Sequence, residues 1–379
     1  MAFLAFVSLG LPDGVAGVAW PFVRRDFGLP LDRLGQLLAF GVAGYLVSSI
    51  LAGKAVARWG VGKLLAGSTA VVAAALVGFA AAPGWGWMLP MGLAVGLGSG
   101  AIDASINTFA ATSFSARAVT WLHACYGVGA TIGPLVMAAV ANAAGLGWRW
   151  GYGLLAAALG AMALAFSFTP GLWKTPAPAA GATPAPATPA AGIWETFRRP
   201  VVLAHVLIFF LYTGSEVTAG QWLFSLMIEQ RGFDKATAGW VVGGFWAALT
   251  AGRVTFGQLA TKLDRLTILR IGFGLAPAGA ALMCWRDSQA ATALSAALLG
   301  FALAPIYPVL VSATPGRVGE RFAAHAVGFE VSAATVGIAV VPGIGGVLAQ
   351  RVGLEAVPPF ILTITLLLLV LHEATVRLL

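Results

Sequence analysis

Twelve apolar stretches, each long enough to cross a bilayer and joined by short connections, leave this chain one kind of fold. A membrane span needs about 20 apolar residues. Such stretches run near 2–23, 34–57, 63–82, 86–111, 119–144 and 148–170, and again near 200–227, 236–260, 266–285, 289–312, 323–349 and 355–376. Only 9% of the 379 residues are charged and mean hydropathy is +0.89, where a soluble domain carries roughly 25% charged residues. The expected fold is an all-α membrane protein. The first stretch has no basic flank before it and carries Asp13 inside it, so it reads as a retained helix and not a signal peptide.

The stretches fall into two sets of six. Between them Lys174 to Gly192 alternates Ala and Pro without periodic apolar partners. Such a sequence is an extended, semi-rigid spacer. The expected division is a six-helix bundle over 1–171, a cytoplasmic linker over 172–198 and a second six-helix bundle over 199–379. The halves share a register. A shift of about 203 residues lays Asp13 on Glu216, Gly17 on Gly220 and Tyr126 to Ala130 on Phe329 to Ala333. Features that coincide at several separated places indicate a duplicated unit. Lys and Arg are more numerous in the loops on the spacer's side, among them Lys54, Arg58, Lys63, Arg198, Arg199 and Lys262. That bias places the spacer and both termini in the cytoplasm of a multi-pass protein of the cell (inner) membrane.

Several functions are not supported. The net charge of +8 is scattered between apolar runs and not gathered into the patch of a nucleic-acid binder. Cys125 and Cys284 each lie inside an apolar run, which gives neither a disulfide framework nor a metal site. There is no phosphate-binding loop with its lysine, no HExxH and no Cys/His ligand set. The expectation is no enzyme, no catalytic residue, no metal and no cofactor.

The informative residues are those that cost energy. A charge at mid-bilayer costs about 2.5–3.5 kcal/mol even on the lenient scale. Asp13 lies about 18 Å into the first span at about 1.5 Å per residue, amid Gly10, Pro12, Gly14 and Gly17. Broken helices near the midplane are where transporters place binding sites. Asp103 and Asn107 are four residues apart and share a helix face. Together they can take a proton and hydrogen-bond a polar ligand, so Asp13 and Asp103 are the expected proton carriers. Glu216 shares a face with Tyr212 and Gly220, and Gln221 and Trp222 follow at once. Acid, amide and indole within two turns suit a sugar, whose C–H face stacks on indole and whose hydroxyls need polar partners. Trp246, about ten residues into its span, and Trp20 add to that set. His123 and Tyr126 are further candidate solute contacts, each with simple hydrogen bonding in a helix as the alternative. Glu330 reads as a gate or helix-end partner for Arg317 or Arg321, and Arg253 as half of a structural ion pair. Gly92, Gly96 and Gly100 line one helix face, and Gly127, Gly129 and Gly133 recur in the fifth span. Small residues there let helices approach closely.

Two six-helix halves joined by a cytoplasmic spacer resemble the major facilitator superfamily. That family's loop between the second and third helices carries G-x-x-x-D-R-x-G-R-R. Here Gly53, Arg58 and Gly60 fit it, Ala57 replaces the acid, and the basic pair is reduced to Lys63. The resemblance implies a gating loop at Gly53, Arg58 and Lys63 whose acid-centred latch is weakened or rebuilt. Within the superfamily, Asp13 and the Asp103-to-Asn107 segment resemble fucose permease-like sugar transporters, though the family acid in the fourth helix is usually Glu. Glu216 with Gln221 and Trp222, and Gly252 with Arg253, resemble the glucose-transporter-like branch.

The expected activity is proton-coupled symport of a monosaccharide by alternating access. Asp13 and Asp103 would carry H⁺. Asn107, Glu216, Gln221, Trp222 and Trp246, with Tyr126, His123 and Tyr212, would hold the sugar. The alternatives are proton-coupled efflux of an apolar drug or metabolite, sodium-coupled sugar uptake, and a membrane receptor that binds without transporting. The expected partners are a small polar solute, H⁺ or Na⁺ and the bilayer, with the chain working as a monomer.

Overall fold

The computed structural model describes residues 1–142, 146–173 and 191–377. Most of the spacer, residues 174–190, lies outside them. The described residues are helical almost throughout, with no strand among them. In chain order the helices are α1 Ala2–Gly10, α2 Val15–Asp26, α3 Arg33–Ala80, α4 Trp85–Ser113, α5 Ala116–Asn142, α6 Trp148–Ser167, α7 Ile193–Phe197, α8 Pro200–Gln230, α9 Lys235–Leu259, α10 Arg265–Met283, α11 Gln289–Leu303, α12 Ile306–Val318, α13 Glu320–Val352 and α14 Val357–Arg377.

Ten segments among the described residues are long and apolar enough to cross a membrane. One of them, α3, has 48 residues, about twice the thickness of a bilayer core at 1.5 Å per residue. Gly60 interrupts it at φ 76°, ψ 161°, a conformation open to glycine and costly for other residues. The chain turns back there. Both arms flank α4, since Gly96 abuts Gly41 on the first arm and Gly98 abuts Val72 on the second. The more polar α9 is the eighth span and brings their number to twelve. Asp234 and Asp264 cap α9 and α10, each accepting a backbone N–H, from Thr237 and Thr267, at 2.9 Å. Hydrogen bonds from the threonine side chains, together with those backbone bonds, hold both exposed carboxyls below the usual aspartate range.

Two spans are broken. The first divides into α1 and α2 at Leu11 to Gly14, with Gly14 at φ 71°. The tenth divides into α11 and α12 at Ala304 and Pro305. In the first span the break follows from Pro12 and Gly14, which remove a backbone donor and favour a left-handed turn. Asp13 sits inside that break.

The six spans before the spacer pack through α3 on α4 and α6, and α1 on α5; the six after it pack through α8 on α13 and α14, and α10 on α11. The halves meet where α5 touches α9, α13 touches α3 and α2 touches α8. Contacts between the halves gather on the face remote from the spacer. There Arg24 pairs with Glu229, the Leu31 N–H donates to Gln350 Oε1 at 2.7 Å, and the rings of Phe22 and Phe224 lie 6.2 Å apart. A Cβ on Gly35 would stand 2.9 Å from the Gly343 Cα. The far face is therefore shut.

Candidate functional site

Glycine ridges build this site. Gly96 and Gly100 of α4 press on the backbone of Gly41 and Tyr45 in α3. Without side chains between them the two helices touch, and Tyr45 donates its phenolic O–H to Asp103 Oδ2 at 2.5 Å. Asn107 donates to the other oxygen, Oδ1, at 2.8 Å. The pairing of Asp103 with Asn107 is the one their spacing suggests. Tyr45 carries no sequence signal of its own beyond lying opposite the ridge.

The same construction recurs at the first break. Gly10 of α1 lies against the backbone of Tyr126 and Ala130, and Gly129 of α5 against Val7 and Leu11. Close approach brings the Tyr126 hydroxyl onto Asp13 Oδ2, to which it donates. In the second half, Tyr212 donates to Glu216 Oε2 at 2.5 Å across one turn of α8. Three of the chain's five tyrosines thus sit on three intramembrane carboxyls. Tyr126 and Tyr212, expected as solute contacts, are placed as carboxyl partners.

Arg253 of α9 is the cation of this group. Its Nη2 lies 3.9 Å from Glu216 Oε1, and its guanidinium carbon is 5.8 Å from the centre of the Tyr126 ring. Arg253 thereby faces Glu216 on its own half and the Asp13–Tyr126 pair across the halves. Its Nε is buried without an acceptor.

Gln221 and Trp246 roof the group on the shut side. Gln221 is 5% exposed and Trp246 3%. Gln221 packs on Gly17 of α2, and Trp246 between Gly14 and Gly220. Gln221 Oε1 and Trp246 Nε1 are both buried without partners. Two unmatched polar atoms beside the break are unusual, because buried polar groups normally find a bond. Asp13, Tyr45, Asp103, Asn107, Tyr126 and Arg253 are half-buried, and His123, edge-on to Phe6 at 5.1 Å, is exposed.

Not every expected residue joins the group. Trp222 is fully buried on the other side of α8, where its Nε1–H donates to the Pro342 carbonyl at 3.0 Å and its ring covers Gly345 and Gly346. Its geometry is that of a peg between α8 and α13. Trp20 is buried against Trp85, with ring centres 5.5 Å apart. Glu330 forms a separate buried cluster with different partners from those expected. His205 Nδ1 lies 2.7 Å from its Oε1, and Thr314 Oγ1 donates to both oxygens at 2.8 and 2.9 Å. Arg317 reaches His205 at 3.2 Å, while Arg321 pairs with Glu195 of α7 at 3.1 Å. Gly53, Arg58 and Lys63 lie exposed at the spacer face, and among the described residues neither basic side chain makes a hydrogen bond or ion pair.

Comparison with known proteins agrees with this architecture. The family model described as Major Facilitator Superfamily matches residues 2–234 and 222–377. The chain is 22% identical over 266 residues to the glucose/mannose transporter GlcP of Bacillus subtilis (strain 168), covering 68% of this chain and 65% of that protein. It is 26% identical over 284 residues to a 3-(3-hydroxy-phenyl)propionate transporter of Escherichia coli (strain K12), covering 71% and 66%. A shorter match, 24% over 177 residues, is to Bypass of stop codon protein 6 of Saccharomyces cerevisiae, covering 44% of this chain and 36% of that protein. The matched regions span about a third to two thirds of the length of these relatives. Among solved structures, a bacterial homologue of the human lysosomal transporter Spinster, inward-facing and occupied, superposes with a TM-score of 0.80 at 12% identity, covering 99% and 95% of the two chains. The nucleoside transporter NupG superposes at 0.77 and 14% identity, covering 99% and 98%.

Proposed function

We propose that this chain, which belongs to the Major Facilitator Superfamily, is a proton-coupled symporter of a hexose-sized monosaccharide. It is a multi-pass membrane transporter of the sugar or small-solute type and not an enzyme. The observation that carries the proton coupling is the set of three tyrosine-capped carboxyls, with Arg253 beside Glu216 and the Asp13–Tyr126 pair.

The physical argument runs through charge. A carboxylate exposed to water on one face of the membrane must be neutralised before its half rocks past the apolar barrier, since each buried charge costs about 2.5–3.5 kcal/mol. Glu216 has Arg253 for this. Asp103 is held by neutral donors, Tyr45 and Asn107, and Asp13 by Tyr126. In this reading a proton neutralises each aspartate, and the loaded, neutral carrier reorients. The phenols keep the carboxyls oriented through both protonation states.

Gln221 and Trp246 supply the solute contacts. Their unmatched Oε1 and Nε1 atoms are an acceptor and a donor that solute hydroxyls would satisfy. The similarity to a glucose/mannose transporter points the same way. With the spacer in the cytoplasm, as its basic flanks favour, the present state is shut outside, and a single chain in the cell membrane is the working unit. Uptake of labelled glucose and mannose into proteoliposomes under an imposed inward proton gradient tests this, with Asp103→Asn as control. Gradient-driven uptake lost in Asp103→Asn supports it. Failure of every hexose, with expulsion of an apolar dye under the opposite gradient, replaces symport with efflux.

A further inference from the structure

The ion pair between Arg253 and Glu216 is loosely made for one buried in a membrane protein. Its closest atoms are 3.9 Å apart, beyond the 2.7–2.9 Å of a charge-assisted bond and far from a two-pronged one. Two other arginines of this chain make two-pronged pairs, Arg231 buried and Arg270 exposed. Arg231 grips Glu355 through Nε and Nη2 at 2.8 Å each, and Arg270 grips Glu373 in the same way. Glu216 already accepts a short bond from Tyr212. Arg253 is left with a buried Nε that has no acceptor and with a side chain 20% exposed. A guanidinium presents five donors in a fixed fork that matches a carboxylate. The fork at Arg253 touches Tyr212 and faces Glu216, but it holds no carboxylate in a two-pronged bond and its Nε has no acceptor.

Charge balance indicates what would fill it. With Asp13 and Asp103 protonated, Arg253 and Glu216 cancel, and a neutral solute leaves the site neutral. If Glu216 also takes a proton, Arg253 stands alone and one negative charge on the solute restores neutrality. The groups around Glu216 permit this exchange. Tyr212 lies on its own helix, Asp13 at the break, His123 and Tyr126 on α5, Arg253 on α9, and Tyr307 on α12 with its ring 6.4 Å from that of Tyr212. Among the ionisable groups that α13, α14 and α7 bring near α8, Glu330 is held by His205 and Glu195 pairs with Arg321, while His372 stacks on Phe273 with both ring nitrogens unbonded.

We propose that Arg253 anchors a carboxylate on the solute, so that the site takes a sugar acid of the hexuronate class in preference to the neutral hexose. The solute's carboxylate occupies the guanidinium fork, and a proton from the aqueous phase enters on Glu216. Tyr212 then holds the neutral acid in place. No covalent bond is made or broken. This deepens the sugar reading and rests on it.

Binding to the purified full chain, followed by titration calorimetry with D-glucuronate and D-glucose in buffers of different ionisation enthalpy, tests it. The expected result is D-glucuronate binding at least tenfold tighter than D-glucose, with about one more proton taken up per glucuronate than per glucose. Arg253→Gln abolishes the preference, and Glu216→Gln keeps it while removing the extra proton. If Arg253→Gln fails to fold, the wild-type comparison and Glu216→Gln still decide. Glucose binding as tightly as glucuronate, or equal proton uptake with both, overturns the inference and leaves the sugar reading standing. Binding of neither sugar overturns both.

Discussion

The Tyr45 hydroxyl and Asp103 carboxyl, on separate helices, lie 2.5 Å apart because glycines leave nothing between α3 and α4. The bond fixes one carboxyl oxygen while Asn107 fixes the other. A hydrogen bond to a charged group contributes about 1.5–3 kcal/mol, and each 1.4 kcal/mol is about tenfold in an equilibrium. Tyr45→Phe removes only the hydroxyl. Proton-driven uptake at limiting solute should fall about tenfold or more, with the melting temperature within a few degrees of wild type. Uptake kinetics beside a thermal melt check it, and unchanged uptake removes Tyr45 from the coupling machinery.

Asp13 sits at the break of the first span and is met from α5 by Tyr126. Asparagine there mimics a permanently neutral acid. In Asp13→Asn, exchange of labelled for unlabelled solute should continue near the wild-type rate, because the neutral carrier still reorients. Accumulation against a gradient should fall steeply, because one of the two coupled protons is lost. Loss of both activities would assign Asp13 to solute binding or folding instead.

Closure of the far face depends on Gly35 and Gly343. Gly35→Leu places a side chain where the two helix backbones meet, so the far face should stay open. In a background of Cys125→Ala and Cys284→Ala, Phe22→Cys reports this. Phe22 is half-buried against Phe224 and Lys235. Its labelling by a membrane-impermeant maleimide from the far side should rise several-fold with Gly35→Leu. Equal labelling would show that closure does not need this contact.

The cluster of Glu330, His205, Thr314 and Arg317 ties α12 and α13 to α8. Breaking a buried pair by removing one partner costs about 3–5 kcal/mol, whereas replacing both with apolar residues is often close to neutral. Glu330→Ala should therefore lower thermal stability in detergent markedly. His205→Leu combined with Glu330→Leu should recover most of it. A double variant as unstable as the single one would mean that the cluster's charge, and not its filling of space, holds these helices.

Much of this could be read from the residues. Twelve apolar stretches specify the helices because lipid offers the backbone no other partner, and Pro12 and Gly14 mark the break that holds Asp13. Asp103 and Asn107 meet because they are one turn apart. Contacts across helices were less legible. Tyr45 is separated from Asp103 by 58 residues, and only the glycine ridge hints that the two touch. Trp222 looked like a sugar contact because it follows Gln221, yet neighbours in sequence point to different sides of a helix. Proximity in sequence pairs Glu330 with Arg317 or Arg321, whereas His205, 125 residues away, is a direct partner. Pattern reveals what one helix presents, and packing decides which helix receives it.

The central claim is that solute and proton cross together. The most direct measurement is the internal pH of proteoliposomes carrying a trapped pH-sensitive dye, with no imposed proton gradient, when solute is added outside. Coupled entry predicts acidification of the lumen that begins with solute addition, scales with solute flux, weakens in Asp13→Asn or Asp103→Asn and vanishes in the double variant. Solute flux with no change in internal pH would contradict proton symport, and alkalinisation of the lumen would show that proton and solute move in opposite directions.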